Sequence, residues 1–286
     1  MCLSIGGHQL SFTSNKAENL DRMLSIIEDS EAYIDIFPEY AMGVPQNGLN
    51  REYVQRNAES LDGKFVTKIL EATAQKQSSA VFTMFLREGS SVYNAAILVE
   101  NGRIRALYKK IHLFDAFGYK ESDLFAPGKE LATTEFEGFK VGLAVCFDLR
   151  FSELFRQMAY RGVSLFIVPS AWYRGEHKLE QWRVLVKARA HENTSFSVAI
   201  GQTKPLFIGH SMVASPFGYA IQEVAEGQTS FVVELDIREI EKAKKMVPTI
   251  KLSKPKLYNA FGINFQNDNS FVGHNRKGKC ARLGRS

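Results

Sequence analysis

Val141-Gly142-Leu143-Ala144-Val145-Cys146-Phe147-Asp148-Leu149-Arg150-Phe151 is the stretch on which the reading of this chain turns. It reads as an apolar strand over residues 139–146 with a thiol at its tip. A helix over 153–160 follows, with Leu154, Phe155, Met158 and Ala159 on one side. A cysteine between a strand end and a helix N-terminus has free backbone N–H groups nearby that stabilise a thiolate or a developing oxyanion. A lone cysteine is equally a small buried hydrophobe, so its surroundings must decide.

Downstream, a strand over 165–168 stops at Pro169, and Leu179, Trp182, Val186 and Ala190 mark a helix. Strands follow at 195–200, 210–214 and 231–235. Upstream, 2–10 reads as a strand, and Asn15 with Glu18 three residues on starts a helix carrying Ala17, Leu20, Leu24 and Ile27. A strand over 32–37 ends at Pro38, and a helix covers 64–77. Strands at 80–86, 92–99 and 103–108 follow, the last two joined at Asn101-Gly102. Helices interleaved with strands on this scale predict sheets covered by helices, an α/β domain. No linker or repeat interrupts residues 1–258, which read as one domain; residues 259–286 lack a periodic apolar face and read as an appended extension with no catalytic part.

Composition narrows the classes. The 286 residues are 45% hydrophobic and 23% charged with 21 Phe, too apolar for general disorder. The net charge of +5 is concentrated at the end: residues 259–286 carry +4 and residues 1–258 only +1. That leaves no basic groove for nucleic acid. The longest nearly uncharged runs, such as 164–172, are too short to span a bilayer. Residues 1–10 resemble no signal peptide, so a cytoplasmic location is expected. Three widely spaced cysteines build neither a disulfide framework nor a Cys-x-x-Cys knuckle. No His-Glu-x-x-His, phosphate loop or dinucleotide fingerprint occurs, so neither a metal nor a cofactor is expected.

Two polar residues stand out. Glu39 follows the strand ending Ile34-Asp35-Ile36-Phe37, with Pro38 terminating its ladder, and carboxyl ends of strands are where α/β sheets collect active sites. Lys109 and Lys110 follow another strand, and alternation points one of them inward, where an ammonium needs an acidic partner. Otherwise both lysines merely blunt a strand edge.

Phe37-Pro38-Glu39, then Tyr108-Lys109-Lys110-Ile111-His112-Leu113-Phe114-Asp115, then Gly142 to Phe151, in this order and spacing, resemble the nitrilase (carbon-nitrogen hydrolase) superfamily over residues 1–258. Pro127-Gly128, Pro169-Ser170-Ala171-Trp172, Arg189 to Asn193 and Gly209-His210-Ser211 add to the match. The resemblance implies a four-layer α-β-β-α sandwich and a homodimer or higher homo-oligomer. It also implies a Glu39-Lys110-Cys146 triad, with Glu121 as the second glutamate that orients lysine and substrate. Cys146 would attack the acyl carbon and Glu39 would carry protons. Lys110 and the Phe147 backbone N–H would hold the oxyanion. Cys-Phe-Asp-Leu-Arg-Phe is similar to the amidase branch that includes ω-amidases and deaminated-glutathione amidases, which implies a small carboxamide substrate carrying a carboxylate. Arg150 and Arg174 are the cations in the neighbourhood, and Trp172 is a candidate apolar wall or a core residue. Carbamoyl compounds, nitriles and a catalytically idle binding protein of the same fold are the rival readings. Ser152, the short segment 115–119 and Gly201-Gln202-Thr203 depart from the pattern, at loops that line a pocket mouth.

Overall fold

The structure, a computed structural model, describes residues 2–260; the expectation for the extension lies outside the described residues from position 261 onward. Contacts divide the chain after Lys251, and the fold below is that of the unit preceding this point. In chain order its strands are β1 Cys2–Gln9, β2 Ile34–Ile36, β3 Ser79–Glu88, β4 Ser91–Glu100, β5 Arg103–Lys109, β6 Asp115–Ala116, β7 Tyr119–Lys120, β8 Ala132–Phe136, β9 Phe139–Leu143, β10 Leu165–Ser170, β11 Phe196–Gly201, β12 Met212–Ala214, β13 Ala220–Glu223 and β14 Thr229–Asp236. The principal helices are α1 Lys16–Asp29, α2 Arg51–Asn57, α3 Lys64–Lys76, α4 Ser152–Tyr160, α5 Lys178–Glu192 and α6 Ile237–Met246.

Two six-stranded sheets result, ordered β14-β1-β2-β3-β4-β5 and β13-β12-β11-β10-β9-β8. Period-two alternation builds the layers. In β3, Val81 joins the core shared with the second sheet, while Ala80, Phe82 and Met84 pack with Leu20, Met23 and Ile27 of α1 and Phe65, Val66 and Ile69 of α3. Across the molecule, Leu154, Phe155 and Met158 of α4 and Trp182, Val186 and Ala190 of α5 cover the second sheet. The α-β-β-α order is the one the family resemblance implies. Asn15 caps α1, accepting from the Ala17 and Glu18 N–H groups.

Parallel pairing of β2 with β1 and β3, and of β10 with β9 and β11, brings the carboxyl ends of these strands to one rim. The rim is tied across the sheets: Glu39 N–H donates to Ser170 O at 3.3 Å, and Gln202 Nε2 donates to Glu39 O at 2.8 Å. The departure at Gln202 thus falls on a residue that holds the Glu39 backbone.

Several boundaries differ from the sequence reading. The strand expected over 139–146 stops at Leu143, because Val145 N–H donates to Asp148 Oδ2 at 2.9 Å instead of continuing the ladder. Segment 115–119 is no plain loop: β6 and β7 form a hairpin through Phe117-Gly118, both at positive φ (56° and 81°). β8 was hidden for a related reason. Its turn to β9, Glu137-Gly138, also holds both residues at positive φ, with a glutamate where Asn or Asp usually signals the turn.

Candidate active site

Each polar group reaches the rim by a different local device. Glu39 follows β2 directly, since Phe37 N–H still bonds Val81 O at 2.9 Å and Pro38 then ends the ladder. Lys110 is the residue after β5 and is 1% exposed, whereas Lys109 turns outward and pairs with Glu88. Gly128 packs against this turn; its N–H donates to Lys110 O at 2.8 Å, and a Cβ there would lie 2.0 Å from Lys109 O.

Cys146 sits on a sharp turn after β9, at φ 45°, in the left-handed region that costs a non-glycine residue about 1–3 kcal/mol. Asp148 pins that turn: besides Val145 N–H, it accepts from Tyr108 Oη at 2.8 Å and from His112 N–H at 3.2 Å, and its Oδ1 meets His112 Nδ1 at 2.7 Å. The His112 ring lies flat on Phe151 at 3.7 Å. The motif residues Tyr108, His112, Asp148 and Phe151 therefore serve to hold the cysteine turn in place.

The structure brings all four predicted polar residues together. Lys110 Nζ donates to Glu39 Oε1 at 2.9 Å and to Glu121 at 2.8 Å (Oε2) and 3.1 Å (Oε1). Glu39 Oε2 accepts from Ala171 N–H at 2.9 Å, and that N–H also faces the Cys146 sulfur. Glu121, which opens a short 3-10 turn, further accepts from Phe114 N–H at 2.6 Å and Tyr40 Oη at 3.3 Å. Neither glutamate is exposed, and Cys146 is 8% exposed. Burial raises the Glu39 pKa above the usual carboxylate range, with the Lys110 charge opposing and the Glu121 charge adding to the rise. Burial also pushes the Cys146 thiol up, reinforced by the Glu39 charge. Burial works against the Lys110 charge, yet Glu121 and Glu39 outweigh it and hold the ammonium charged.

Lys110 and Cys146 form the floor of a narrow pocket with a cavity volume of about 20 Å³, and the two glutamates lie buried behind them. Phe147, Arg150 and Trp172 line it, as the sequence suggests. Phe147 N–H, at the first turn after the cysteine, makes no hydrogen bond to the protein among the described residues. Trp172 has both roles considered for it: it faces the pocket and packs on Trp182 at 5.6 Å. Arg174 is not brought to the pocket; its guanidinium pairs with Glu226 at 3.0 Å. Lys178, at the start of α5, stands there instead, its Nζ 3.5 Å from the centre of the Phe117 ring. Arg150 lies over Trp172 at 4.8 Å and bonds Gln181 at 2.7 Å. Burial lowers the pKa of both cations, and the Arg150 charge adds to the effect at Lys178.

Sequence reasoning also missed Asn94, whose Nδ2 donates to Glu39 Oε1 at 2.8 Å and Glu121 Oε1 at 3.0 Å. Its one signal was a polar residue inside an apolar strand. Among the described residues no cluster of His, Cys, Asp and Glu could hold a metal ion, and no helix is long and apolar enough to cross a membrane.

Comparison with known proteins finds relatives over most of the chain. The carbon-nitrogen hydrolase family profile matches residues 4–245. The deaminated glutathione amidase of Escherichia coli O157:H7 is 28% identical over 251 residues, covering 86% of this chain and 95% of the relative. The omega-amidase NIT2 of Danio rerio is 27% identical over 271 residues, covering 89% and 96%. The crystal structure of XC1258 from Xanthomonas campestris, a CN-hydrolase superfamily protein, superposes with a TM-score of 0.80 at 23% identity, covering 89% of this chain and 98% of that one.

Proposed function

The chain belongs to the carbon-nitrogen hydrolase family, and on that premise we propose that it hydrolyses the C–N bond of a small carboxamide through a thioester on Cys146, releasing ammonia and a carboxylate. The observation that carries this reading is the buried contact of Glu39, Lys110 and Cys146, with Lys110 and Cys146 facing a pocket from below. Amidase-named relatives matched over most of their length support the reaction class.

Each residue type suits its step. Glu39 accepts the thiol proton as sulfur attacks the acyl carbon, then protonates the departing amine; afterwards it takes a proton from the water that cleaves the thioester. Its raised pKa brings the carboxyl nearer neutrality, where one group both accepts and returns a proton. The tetrahedral oxyanion takes the free Phe147 N–H and one Lys110 hydrogen. Two Nζ hydrogens suffice for Glu39 and a bifurcated Glu121 contact, which leaves the third for substrate. Removing one such donor typically costs about 10²–10³ in kcat. Glu121 accepts five hydrogen bonds and acts as an anchor for Lys110, not as a proton carrier.

At the mouth, Arg150 and Lys178 have no carboxylate partner among the described residues and favour an acyl group that ends in a carboxylate. The cytoplasmic setting and the homodimer or higher homo-oligomer belong to the same proposal, the latter tested by light scattering on the purified protein. The reading itself is tested with a panel of ω-carboxy amides, neutral amides, carbamoyl compounds and nitriles. Ammonia release from the ω-carboxy amides supports it. Release of CO2 with the ammonia moves the enzyme to the carbamoyl class, and turnover of nitriles alone contradicts it.

A further inference from the structure

Asn94 lies inside β4 and is 1% exposed. Its backbone carbonyl accepts the Lys110 N–H at 2.9 Å, and its Nδ2 bridges the two carboxylates. Its Oδ1 has no hydrogen-bond partner among the described residues. A buried carbonyl left unpaired costs stability. The opposite orientation of the amide would set that oxygen against two carboxylates, so charge decides which end faces them.

The donors on Glu39 can be counted. Oε1 accepts from Lys110 and from Asn94, which occupies both of its in-plane lone pairs. Oε2 accepts the Ala171 N–H, which leaves it one lone pair on the side where that N–H faces the sulfur, and the Cys146 thiol is within hydrogen-bonding reach of the Glu39 carboxylate. We propose that Asn94 is a positioning residue which, together with Lys110, fills Oε1 of Glu39 and so makes Oε2 the atom that takes the Cys146 proton and delivers it to the leaving amine. The inference rests on the reading of Glu39 as general base. In the step itself the S–H bond breaks and an O–H bond forms at Oε2. The sulfur pair makes the S–C bond, and the carbonyl π pair moves to oxygen.

The titratable and charged groups facing Glu39 are Lys110 after β5, Glu121 in its 3-10 turn, Cys146 in the nucleophile turn, and the phenols of Tyr40, Tyr119 and Tyr173; Arg150 and Lys178 stand further out in the pocket. The phenols are held protonated by burial first; the carboxylates come next at Tyr40 and Tyr173, and at Tyr119 the Tyr173 phenol precedes them. Taking away Asn94 removes a bond made to the ionised form of Glu39, so its proton becomes harder to lose.

The test is the pH profile of kcat/KM for wild type, Asn94→Leu and Asn94→Asp, on an amide that wild type hydrolyses. The acid limb moves up by about one pH unit in Asn94→Leu, and further in Asn94→Asp, which adds a third carboxylate. A folded Asn94→Leu protein with reduced kcat/KM and an unmoved acid limb overturns the inference. Should that variant fail to fold, Asn94→Ser, too short to reach both carboxylates, is read in the same way. Failure of wild type on every amide would overturn the reading beneath the inference, whereas an active wild type with unmoved limbs overturns the inference alone.

Discussion

On the sheet side of the pocket, the four carboxylate oxygens of Glu39 and Glu121 each accept at least one hydrogen bond, from an ammonium, an amide, a phenol or backbone N–H groups. On the helix side, Arg150 and Lys178 face aromatic rings and meet no carboxylate among the described residues. The first wall gathers two carboxylates around one ammonium and carries the reaction; the second leaves two cations for an anion from outside. Groups that do the same chemistry on every substrate can be held by the protein itself, with only the reacting positions left open. Groups that choose the substrate must keep their hydrogen-bonding capacity free.

The contrast can be broken from either side, and the floor gives the larger effects. Cys146→Ala, or Glu39→Gln, should cut kcat/KM by on the order of 10⁴ with the fold intact, measured by ammonia release and circular dichroism. Lys110→Met leaves two buried carboxylates uncompensated, and should lower unfolding stability by about 3–5 kcal/mol in a denaturant titration while abolishing turnover. Gly128→Ala pushes a Cβ into the Lys109 carbonyl and should cost about 1–3 kcal/mol, with activity falling as Lys110 shifts. At the mouth, Lys178→Met should raise KM for an ω-carboxy amide about tenfold, leaving kcat and neutral amides nearly untouched. The smallest effect is expected at Arg174→Ala: its ion pair with Glu226 is solvent-screened and outside the pocket, so stability and KM should both hold.

The pH dependence follows from the same floor. Glu39 works as a base only when ionised, and burial raises its pKa. Activity should therefore fall on the acid side at a pH above that of an ordinary glutamate. Because the thiol is the form from which Glu39 takes the proton, the raised Cys146 pKa moves any alkaline loss from its ionisation to higher pH than for an ordinary cysteine.

The layers were legible because they rest on periodicity, as in Ala80, Phe82 and Met84 against Val81. The floor was legible because three ordered motifs mark its residues. Asn94 and Lys178 were not, for different reasons. Asn94 acts through one amide whose partners lie 55 and 27 residues away, and nothing local distinguishes it from a tolerated polar residue in a strand. Lys178 sits at a helix start, where lysines are common, and its pocket contacts come through the unforeseen hairpin at Phe117-Gly118. Arg174 failed as a pocket cation because nearness in sequence does not determine direction: Glu226 draws it away.

The most direct measurement is intact-mass analysis of protein quenched during turnover of an ω-carboxy amide, with peptide mapping of any adduct. The account predicts an added acyl group on Cys146, lost on standing and missing in Cys146→Ala. Undiminished hydrolysis by Cys146→Ala, or an acyl group carried on any other residue, would contradict it.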